Sequence, residues 1–422
     1  MKVLVIGGGG KEHALIWKLS RSKHITKIYC SPGNAGIAGI AECIAVSPHN
    51  VDALVDFVKY EWIDLTIICS EIFLAQSIVD AFERHGCKLF GINRGALSLG
   101  ASRILLKDFM KRHRLPTAEY QAFSSYLLAR DYVQLKGLPL MIKTNEYPGD
   151  QGIFCASTLE DAADNLRRIM KEKIYGESGS RVIIEEHLKG ERISIVTIAD
   201  EKGMLPLASV RKYRGRPELD VQSDSTVFGS YSPVPEITKE IEQNMMEKVI
   251  YPVHKALSAE GAIFRGFISA DLIIQEKNIS VFELQFGFGD LEPQTIMPGL
   301  KGDIGVLILF ASNGELSAAP SMSNGEISVC VALFSRKDPG GRGNVSKITG
   351  LDLLRNAEHV FAFHENTVFE DGDIVTPGGT ALYVTAIGTT LEDASRRALS
   401  AAEKIHFPGM EYRGISGIMR AE

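Results

Sequence analysis

The sequence predicts a multidomain protein of mixed α/β and α+β class, and three observations support this. Short apolar runs alternate with helical patterns over about the first hundred residues, which is typical of a parallel sheet covered by helices. Antiparallel strand patterns dominate the middle of the chain. A final group of strands with one helix begins near residue 325, and the length of 422 residues fits about three domains.

Composition is that of an ordinary globular protein and excludes several functional classes. Hydrophobic residues make up 45% of the chain and charged residues 23%, so disorder is not indicated. The formal net charge of -6, with both signs mixed, argues against a nucleic-acid-binding protein. The six cysteines form no Cys-x-x-Cys pair, which favours a reducing cytoplasm over a disulfide framework or a zinc site. No apolar run is long enough to predict a membrane-spanning helix.

The chain begins with an apolar strand pattern, four consecutive glycines and a helical pattern. Backbone N–H groups at a glycine turn and a helix N-terminus favour an anion, and Lys11 and His13 add donors. The dinucleotide pattern Gly-x-Gly-x-x-Gly is incomplete, because Glu12 or His13 stands at its last position. Asn34, after the next strand, would emerge at the same edge of the sheet. A ligand-binding turn is therefore predicted, with a purely structural turn as the alternative.

The position of Lys143 in the sequence is compatible with phosphate binding. Lys107 lies within the helical pattern at 102–113, and Lys143 ends the strand pattern at 139–143, just before a glycine-containing loop. A lysine beside such a loop can meet a phosphate as a point charge, although solvated lysines are the commoner case. Four positive charges at 211–216 would either neutralise a triphosphate or form a solvated loop.

An apolar run at 268–274 and another at 281–286, joined by a polar turn at 275–278, predict a β-hairpin. A period of two places Glu283 and Gln285 on one face, and pairing brings Asp271 alongside Glu283. Mg²⁺ is usually bound through one or two carboxylates together with nucleotide phosphates. The hairpin therefore predicts a metal–nucleotide site, with a solvated charged hairpin as the alternative.

The order of these motifs resembles that of the ATP-grasp ligases, and within them the phosphoribosylamine-glycine ligase (glycinamide ribonucleotide synthetase) family, over essentially the full chain. At the N-terminus the resemblance rests on Gly9, Gly10, Lys11, Glu12, His13 and Ala14, and on Pro32, Gly33, Asn34, Ala35 and Gly36. Later matches are Tyr231, Ser232, Pro233, Gly289, Asp290, Glu292, Gln294, Gly378 and Gly379. The resemblance implies a Rossmann-like pre-ATP-grasp domain at 1–101, an ATP-grasp domain at 102–324 with an ATP-binding lid at 121–190, and a small α+β domain at 325–422.

The resemblance also implies roles for individual residues. The phosphoribosylamine pocket would be lined by Gly9, Gly10, Lys11, Glu12, His13, Asn34 and Asp220. ATP would be held by Lys107, Lys143, Glu185, Glu186, Leu188 and Glu191. Mg²⁺ or Mn²⁺ would be bound by Asp271, Glu283 and Gln285. In catalysis, Arg211 would stabilise the negative charge of the transferring phosphoryl group. The substrates would be oriented by Asp290 and Glu292.

Several positions depart from the family pattern. The phosphate loop at 149–152 reads Gly-Asp-Gln-Gly where the family has Ala-Gly-Lys-Gly, so a lysine is lost. Gln285 and Gly287 stand where the family has asparagine and arginine, and Arg192 stands in place of the ribose-binding glutamate. Asp271 replaces a family glycine and supplies the acid that most other ATP-grasp ligases place one hairpin before their metal-binding glutamate.

The function implied is an ATP-dependent carboxylate-amine ligase, most directly one that makes glycinamide ribonucleotide through an acyl phosphate. Two alternatives stay open, an ATP-grasp ligase for another acid and amine, and a non-catalytic paralogue that only binds ligand. The expected partners are small molecules and neither nucleic acid nor a membrane. The protein is expected to be a cytoplasmic monomer or homodimer.

Overall fold

The computed structural model describes residues 1–69, 76–146, 152–214, 227–262, 264–335, 345–355 and 357–414. Within these residues the strands form five sheets, of which three carry the site. No helix in the described ranges has both the length and the apolar character needed to cross a lipid bilayer.

The N-terminal part is built on a parallel sheet. Its strands are β1 (Lys2–Gly7), β2 (Lys27–Pro32), β3 (Glu42–Cys43), β4 (Leu65–Ile68) and β5 (Leu89–Phe90). Its helices are α1 (Gly10–Leu19), α2 (Val51–Tyr60), α3 (Gln76–Arg84) and α4 (Arg94–Gly100). The strand order is β3-β2-β1-β4-β5 and every pairing is parallel, which confirms the predicted sheet. Val3 and Val5 enter one apolar cluster while Leu4 and Ile6 enter another, so both faces of β1 are covered.

A second, antiparallel sheet follows. Its elements are α5 (Arg103–Arg112), β6 (Tyr120–Phe123), α6 (Tyr126–Lys136), β7 (Leu140–Thr144), β8 (Ile153–Ala156), α7 (Leu159–Met170) and β9 (Val182–Glu186). The strand order is β6-β9-β7-β8. Ala129 and Val133 of α6 and Leu166 and Ile169 of α7 pack on this sheet in an apolar cluster separate from the other two. We call β6 to β9 with α6 and α7 the lid.

The middle of the chain forms most of a large antiparallel sheet. Its elements are β10 (Glu191–Ala199), β11 (Met204–Arg214), β12 (Val227–Ser232), α8 (Lys239–Met245), α9 (Tyr251–Ala259), β13 (Gly266–Gln275), β14 (Asn278–Gln285), α10 (Glu292–Gly299), β15 (Leu300–Lys301) and α11 (Ile304–Ser312). The predicted hairpin is present, because β13 pairs with β14 across the turn at Glu276 and Lys277. Helices α8 and α9 are joined without a break by one π-helical turn, Met246–Ile250.

The last part of the chain adds strands to that same sheet. Its elements are β16 (Ser323–Asn324), β17 (Ile327–Ser335), β18 (Ser346–Lys347), β19 (Val360–His364), β20 (Val368–Glu370), β21 (Asp373–Thr376), β22 (Gly379–Gly388), α12 (Leu391–Ala402) and β23 (Met410–Glu411). The order in the large sheet is β14-β13-β10-β11-β12-β17-β22-β19, with β23 also on β17. The expected boundary at residue 325 thus lies between strands of one continuous sheet, and the domain limits stay a prediction.

Candidate active site

Two lysines from different elements converge on one buried glutamate. Lys107 lies on α5 and Lys143 on β7, and the Nζ atom of each lies 3.1 Å from Oε2 of Glu185 on β9. All three side chains are buried. Burial lowers the pKa of Lys107, and the charge of Glu185 opposes that effect. We call these residues the lysine cluster, and it brings together the two lysines predicted to hold phosphate.

Glu283 on β14 extends the lysine cluster. Its Oε1 atom lies 3.2 Å from Nζ of Lys143 and 3.1 Å from Nε of Arg103 on α5. Burial raises the pKa of Glu283, but the positive charges of Arg103 and Lys143 outweigh it and lower the value to about 2. Glu283 is therefore ionised at neutral pH.

Arg103 is a site residue that the sequence motifs do not single out. Its Nη1 atom also donates to the carbonyl oxygen of Thr144 at 2.9 Å, so the guanidinium joins β14 to the end of β7. Arg103 precedes Lys107 by four residues, and residues four apart share one face of a helix. That spacing is the signal that points to Arg103 once Lys107 is assigned.

A second group of buried charges centres on Asp271 of β13. Its Oδ2 atom lies 3.1 Å from Nε of Arg192, and its Oδ1 atom lies 3.4 Å from Nζ of Lys212 and accepts a hydrogen bond from the Ser194 hydroxyl. Although burial raises the pKa of Asp271, the positive charges of Lys212 and Arg192 hold it well below its usual range. Lys212 also lies 2.8 Å from Oε1 of Glu292, which joins this group to the start of α10.

The predicted metal ligands share one face of the hairpin. Asp271 pairs directly with Glu283, and Gln285 follows Glu283 on the same side of β14. Asp271 and Glu283 are each 4% exposed, and their oxygens already accept from the cations described above. The described residues hold no group of three or more His, Cys, Asp or Glu side chains placed to bind a metal. The metal site therefore stays a prediction.

Glycines shape the segment between β14 and α10. Gly287 has a φ of 145°, in a region that residues with side chains rarely adopt. At Gly289, a Cβ atom would lie 2.5 Å from Oε1 of Glu292 and 2.7 Å from Nζ of Lys212. Glu292 in turn accepts from the Gly289 N–H at 2.7 Å. A side chain at residue 289 would therefore break the contact between Lys212 and Glu292.

The N-terminal glycines at 7–10, the glycine loop, are held by two carboxylates. Oε2 of Glu12 accepts from the Gly9 N–H at 2.9 Å. Oε2 of Glu365, which directly follows β19, accepts from the Gly10 N–H at 2.5 Å. The first N–H groups of α1 thus already meet negative charge supplied by the chain.

His13 and Asn34 attach the glycine loop to the C-terminal part. Nδ1 of His13 accepts from the His364 N–H at 2.8 Å, and Nδ2 of Asn34 donates to the carbonyl oxygens of Gly8 and His364, each at 2.8 Å. Burial lowers the pKa of His13 to about 3 and that of His364 to about 4. Both imidazoles are neutral at pH 7, so His13 can donate to a ligand only through Nε2.

Lys11 and Asp290 form a pair beneath the glycine loop. Nζ of Lys11 lies 2.8 Å from Oδ1 of Asp290 and donates to the Phe288 carbonyl oxygen at 3.1 Å. Burial lowers the pKa of Lys11, but the charge of Asp290 dominates and raises it, while Lys11 lowers the pKa of Asp290. The predicted substrate residues and the predicted catalytic acids are thus in contact.

Arg211 lies on β11, an interior strand of the large sheet, opposite Tyr231 of β12. Its guanidinium pairs with Glu191 and lies 3.5 Å from Oε1 of Glu236, and the side chain of Glu191 is 64% exposed. Neither contact belongs to the lysine cluster, so the roles assigned to Arg211 and Glu191 stay predictions. Glu186, the last residue of β9, is exposed, and Leu188, after the strand, is half-buried. Asp220 falls outside the described residues.

Taken together, these charged side chains, of which Arg192 is half-buried, form a row along one face of the large sheet and the adjoining lid. The cations are Arg103, Lys107, Lys143, Arg192 and Lys212, and the carboxylates are Glu185, Asp271, Glu283 and Glu292. One oxygen of Glu185, Oε1, has no hydrogen-bond partner in the described part of the chain. Lysine and arginine side chains close to carboxylate oxygens suit a polyphosphate with its metal ion.

Three family models match consecutive parts of the chain. They are the phosphoribosylglycinamide synthetase N domain at residues 1–99, the ATP-grasp (A) domain at 101–293 and the C domain at 328–414. Among curated proteins, phosphoribosylamine–glycine ligase of Pasteurella multocida is 38% identical over 417 residues, covering 98% of this chain and 96% of that protein. The protein of the same name from Escherichia coli K12 is 37% identical over 411 residues, covering 96% of both.

Solved structures show the same fold. A crystal structure of phosphoribosylamine–glycine ligase from Thermotoga maritima superposes with a TM-score of 0.81 at 23% identity, covering 98% of this chain and 99% of that one. Biotin carboxylase from Campylobacter jejuni, in complex with an ATP analogue, superposes with a TM-score of 0.72 at 14% identity, covering 97% and 92%. Over 97–98% of its length the chain thus has the fold of these proteins.

Proposed function

The chain belongs to the phosphoribosylglycinamide synthetase family, and from this premise we propose that it joins phosphoribosylamine to glycine, with conversion of ATP to ADP and phosphate. It is an ATP-grasp ligase that forms a C–N bond. The observation that carries the proposal is the lysine cluster, because two buried lysines from α5 and the lid meet inside the region matched by the ATP-grasp domain.

ATP-grasp domains bind ATP and a divalent metal ion, and the residues present fit that pair. Lys107 and Lys143 would hold phosphate oxygens as point charges. Mg²⁺, or Mn²⁺ in its place, would take oxygens of Glu283 and Gln285 together with those of Asp271 and the phosphates. Glu185, Glu186, Leu188 and Glu191 belong to the proposed nucleotide site. Bound ATP supplies the γ-phosphoryl group that activates the glycine carboxylate as an acyl phosphate.

The residues of the chain would act chiefly by position and charge. Negative charge develops both when the carboxylate is phosphorylated and when the amine displaces phosphate, and fixed cations lower the energy of both steps. Lys107 and Lys143 meet that charge from one side, and Arg211 would meet it on the transferring group. Asp290 and Glu292 would orient the substrate amines, since ionised carboxylates accept hydrogen bonds from ammonium groups.

The amine substrate would bind at the other end of the row of charges. The proposed pocket is lined by Gly9, Gly10, Lys11, Glu12, His13 and Asn34, with Asp220. The contact of Lys11 with Asp290 supports this placement, because it joins the glycine loop to the segment that leads into α10. The proposed domains are 1–101, 102–324 with the lid region 121–190, and 325–422. A cytoplasmic monomer or homodimer acting on small molecules completes the proposal.

A ligase for another acid and amine is the second candidate. Gly287, in place of the family arginine, favours it, because a bidentate cation cannot be replaced by the backbone of a glycine.

The deciding experiment is ADP release by the full-length protein with Mg²⁺ and ATP. Phosphoribosylamine and glycine are compared with a panel of other acids and amines. Release that requires both phosphoribosylamine and glycine supports the proposal, whereas release with a different pair selects the second candidate. Calorimetric binding of Mg-ATP without turnover on any pair would indicate a non-catalytic binding protein, and absence of both would contradict every ligase interpretation.

A further inference from the structure

Glu365 places a carboxylate at the N-terminus of α1. Beyond its contact with the Gly10 N–H, it lies along the glycine loop, because a Cβ atom on Gly9 would be 3.0 Å from its Oε1 atom and 3.1 Å from Oε2. The unpaired N–H groups and the dipole of a helix N-terminus attract anions. The Glu365 carboxylate therefore occupies the N-terminus of α1, where the phosphate of a ligand would bind favourably.

Gln294 indicates independently that a ligand belongs at this helix end. Its side chain is fully buried, and neither Oε1 nor Nε2 has a hydrogen-bond partner among the described residues. Its Nε2 atom is aimed at the helix start, since a Cβ atom on Gly10 would lie 2.9 Å from it. A buried amide without partners costs about 1–3 kcal/mol, so such a group usually has a ligand or water to bind.

We propose that Glu365 determines access to the glycine loop, so that the phosphate of a phosphorylated amine binds at the N-terminus of α1 only when the Glu365 carboxylate is protonated or displaced. The inference rests on the proposed function, because it concerns the phosphate of the amine substrate. Glu365 acts here as a competitor for the Gly10 N–H and as a source of charge repulsion.

The surroundings of Glu365 favour its neutral form. Burial raises the pKa of Glu365 to about 7, and the negative charges of Glu12 and Asp290 add to this, while the Gly10 N–H and Lys11 oppose it. The titratable groups around it are Lys11, Glu12 and His13 on α1, Asp290 before α10, His364 on β19 and Tyr383 on β22. The two imidazoles are neutral at pH 7, and burial raises the pKa of Tyr383, so the change near neutral pH lies with Glu365.

The test is calorimetric binding of ribose 5-phosphate to the full-length protein without ATP, at about pH 6 and about pH 8. The variants are Glu365→Gln, which copies the protonated carboxyl, and Glu365→Ala, which vacates the position. Glu370→Gln on β20 is the matched control, because Glu370 is exposed. Melting temperatures measured without ligand show that each variant is folded.

The protonated fraction of a carboxyl group with a pKa of about 7 drops from about 90% at pH 6 to about 10% at pH 8. If only the protonated form of Glu365 lets phosphate bind, the affinity falls about tenfold between these two pH values. We therefore expect the affinity of the wild type to fall about tenfold more than that of Glu365→Gln or Glu365→Ala. The ionisation of the ligand phosphate is common to all proteins and cancels in this comparison. Glu370→Gln should behave as the wild type does.

Three outcomes would overturn the inference. Weaker binding by Glu365→Gln and Glu365→Ala at both pH values would make Glu365 a contact of the ligand. If the affinity for ribose 5-phosphate changes with pH in the same way in the wild type and both variants, Glu365 does not control access to the glycine loop. Absence of ribose 5-phosphate binding in all four proteins would show that the glycine loop holds no phosphate.

The result is separable from that of the proposed function. Mg-ATP binds at the lysine cluster, so the affinity of Glu365→Gln for Mg-ATP should equal that of the wild type. If ligation of phosphoribosylamine and glycine fails while the pH-dependent difference persists, the proposed reaction is wrong and the role of Glu365 stands. If ligation succeeds without that difference, only the role of Glu365 falls.

Discussion

Lys143 is fully buried, yet its ammonium group contacts two carboxylates and an aromatic face. Its Nζ atom lies 3.8 Å from the centre of the Phe282 ring, in addition to its contacts with Glu185 and Glu283. A buried charge is stable only where paired groups replace its hydration, and here those groups come from two strands, β9 and β14. The position of Lys143 therefore depends on the packing of the lid against the large sheet.

Lys143→Met tests this assignment, because it keeps the length of the side chain and removes the charge. We expect the affinity for Mg-ATP to fall at least about tenfold, equivalent to about 1.4 kcal/mol, in calorimetric titrations. Lys347→Met is the matched control, since Lys347 is exposed and pairs with Asp373 at the surface. Lys11→Met should affect Mg-ATP less than Lys143→Met does, and the reverse order would contradict the two assignments.

Asp271→Asn should lower the free energy of unfolding, in addition to any effect on metal binding. The sequence alone identifies Asp271 only as an oxygen donor, but the structure surrounds it with Arg192 and Lys212. Removing one partner of a buried ion pair costs about 3 kcal/mol or more, so we expect a loss of that order in urea unfolding without ligand. Asp373, which is half-buried and pairs with Lys347 at the surface, is the control, and Asp373→Asn should cost less than about 1 kcal/mol. Equal small losses in both variants would show that Asp271 is not a structural partner of these cations.

At the scale of elements, the start of α5 is attached to the end of β7. The Ser102 hydroxyl accepts from the Leu105 N–H at 3.3 Å and donates to Oδ1 of Asn145 at 2.8 Å. The Asn145 carbonyl oxygen accepts from the Arg103 N–H at 2.8 Å. Lys107 on the helix and Lys143 on the strand are thus held at a fixed separation by one N-cap.

Ser102→Ala should therefore reduce both stability and nucleotide binding. Loss of an N-cap side chain costs about 1 kcal/mol, and here it also releases α5 from Asn145. Thr390→Ala, which removes the cap of α12, is the control, because its hydroxyl accepts only from the Asp393 N–H in the described contacts. Both variants should lose similar stability in urea unfolding, but only Ser102→Ala should weaken calorimetric Mg-ATP binding. Equal Mg-ATP affinities in the two variants would show that the Ser102 cap has no effect on nucleotide binding.

Local elements are the part of this structure that the sequence predicts well. The hairpin of Asp271 and Glu283 follows from alternation and a polar turn, and α5 follows from its period and caps. The partners of those residues do not follow, because they come from distant segments. Glu365 meets Gly10 across 355 positions of sequence, and no local pattern specifies that contact. The sequence therefore predicts individual side chains for the candidate site, but not the network of compensated charges that joins them.

At the scale of the whole molecule, one sheet joins the middle of the chain to its end. β12 pairs with β17 through four residue pairs, from Gly229 with Val331 to Ser232 with Ser328. The side chains of Val329, Val331 and Leu333 on β17 are buried in the same apolar cluster as Ile268 of β13. The end of the chain therefore completes the core of the part that precedes it.

A fragment ending at residue 324 should fail to fold cooperatively. It would lose β17 and β22 from the sheet, leaving β12 as an apolar edge strand, and such edges promote aggregation. We expect no cooperative urea transition by circular dichroism, together with increased light scattering. A chain ending at residue 414 keeps every described strand and should unfold as the full chain does. A cooperative transition of the shorter fragment would show that the two parts fold independently.

The separate apolar cluster of the lid gives it a stability of its own. Because α6 and α7 pack on β7 and β9 without sharing that cluster with the large sheet, the lid can open as one unit while the remainder stays folded. In deuterated solvent, the backbone amides of β7 and β8 would then exchange at similar rates, ahead of those in β10 and β13. When a nucleotide binds both Lys143 of the lid and Lys107 of α5, all lid amides should become more protected from exchange together.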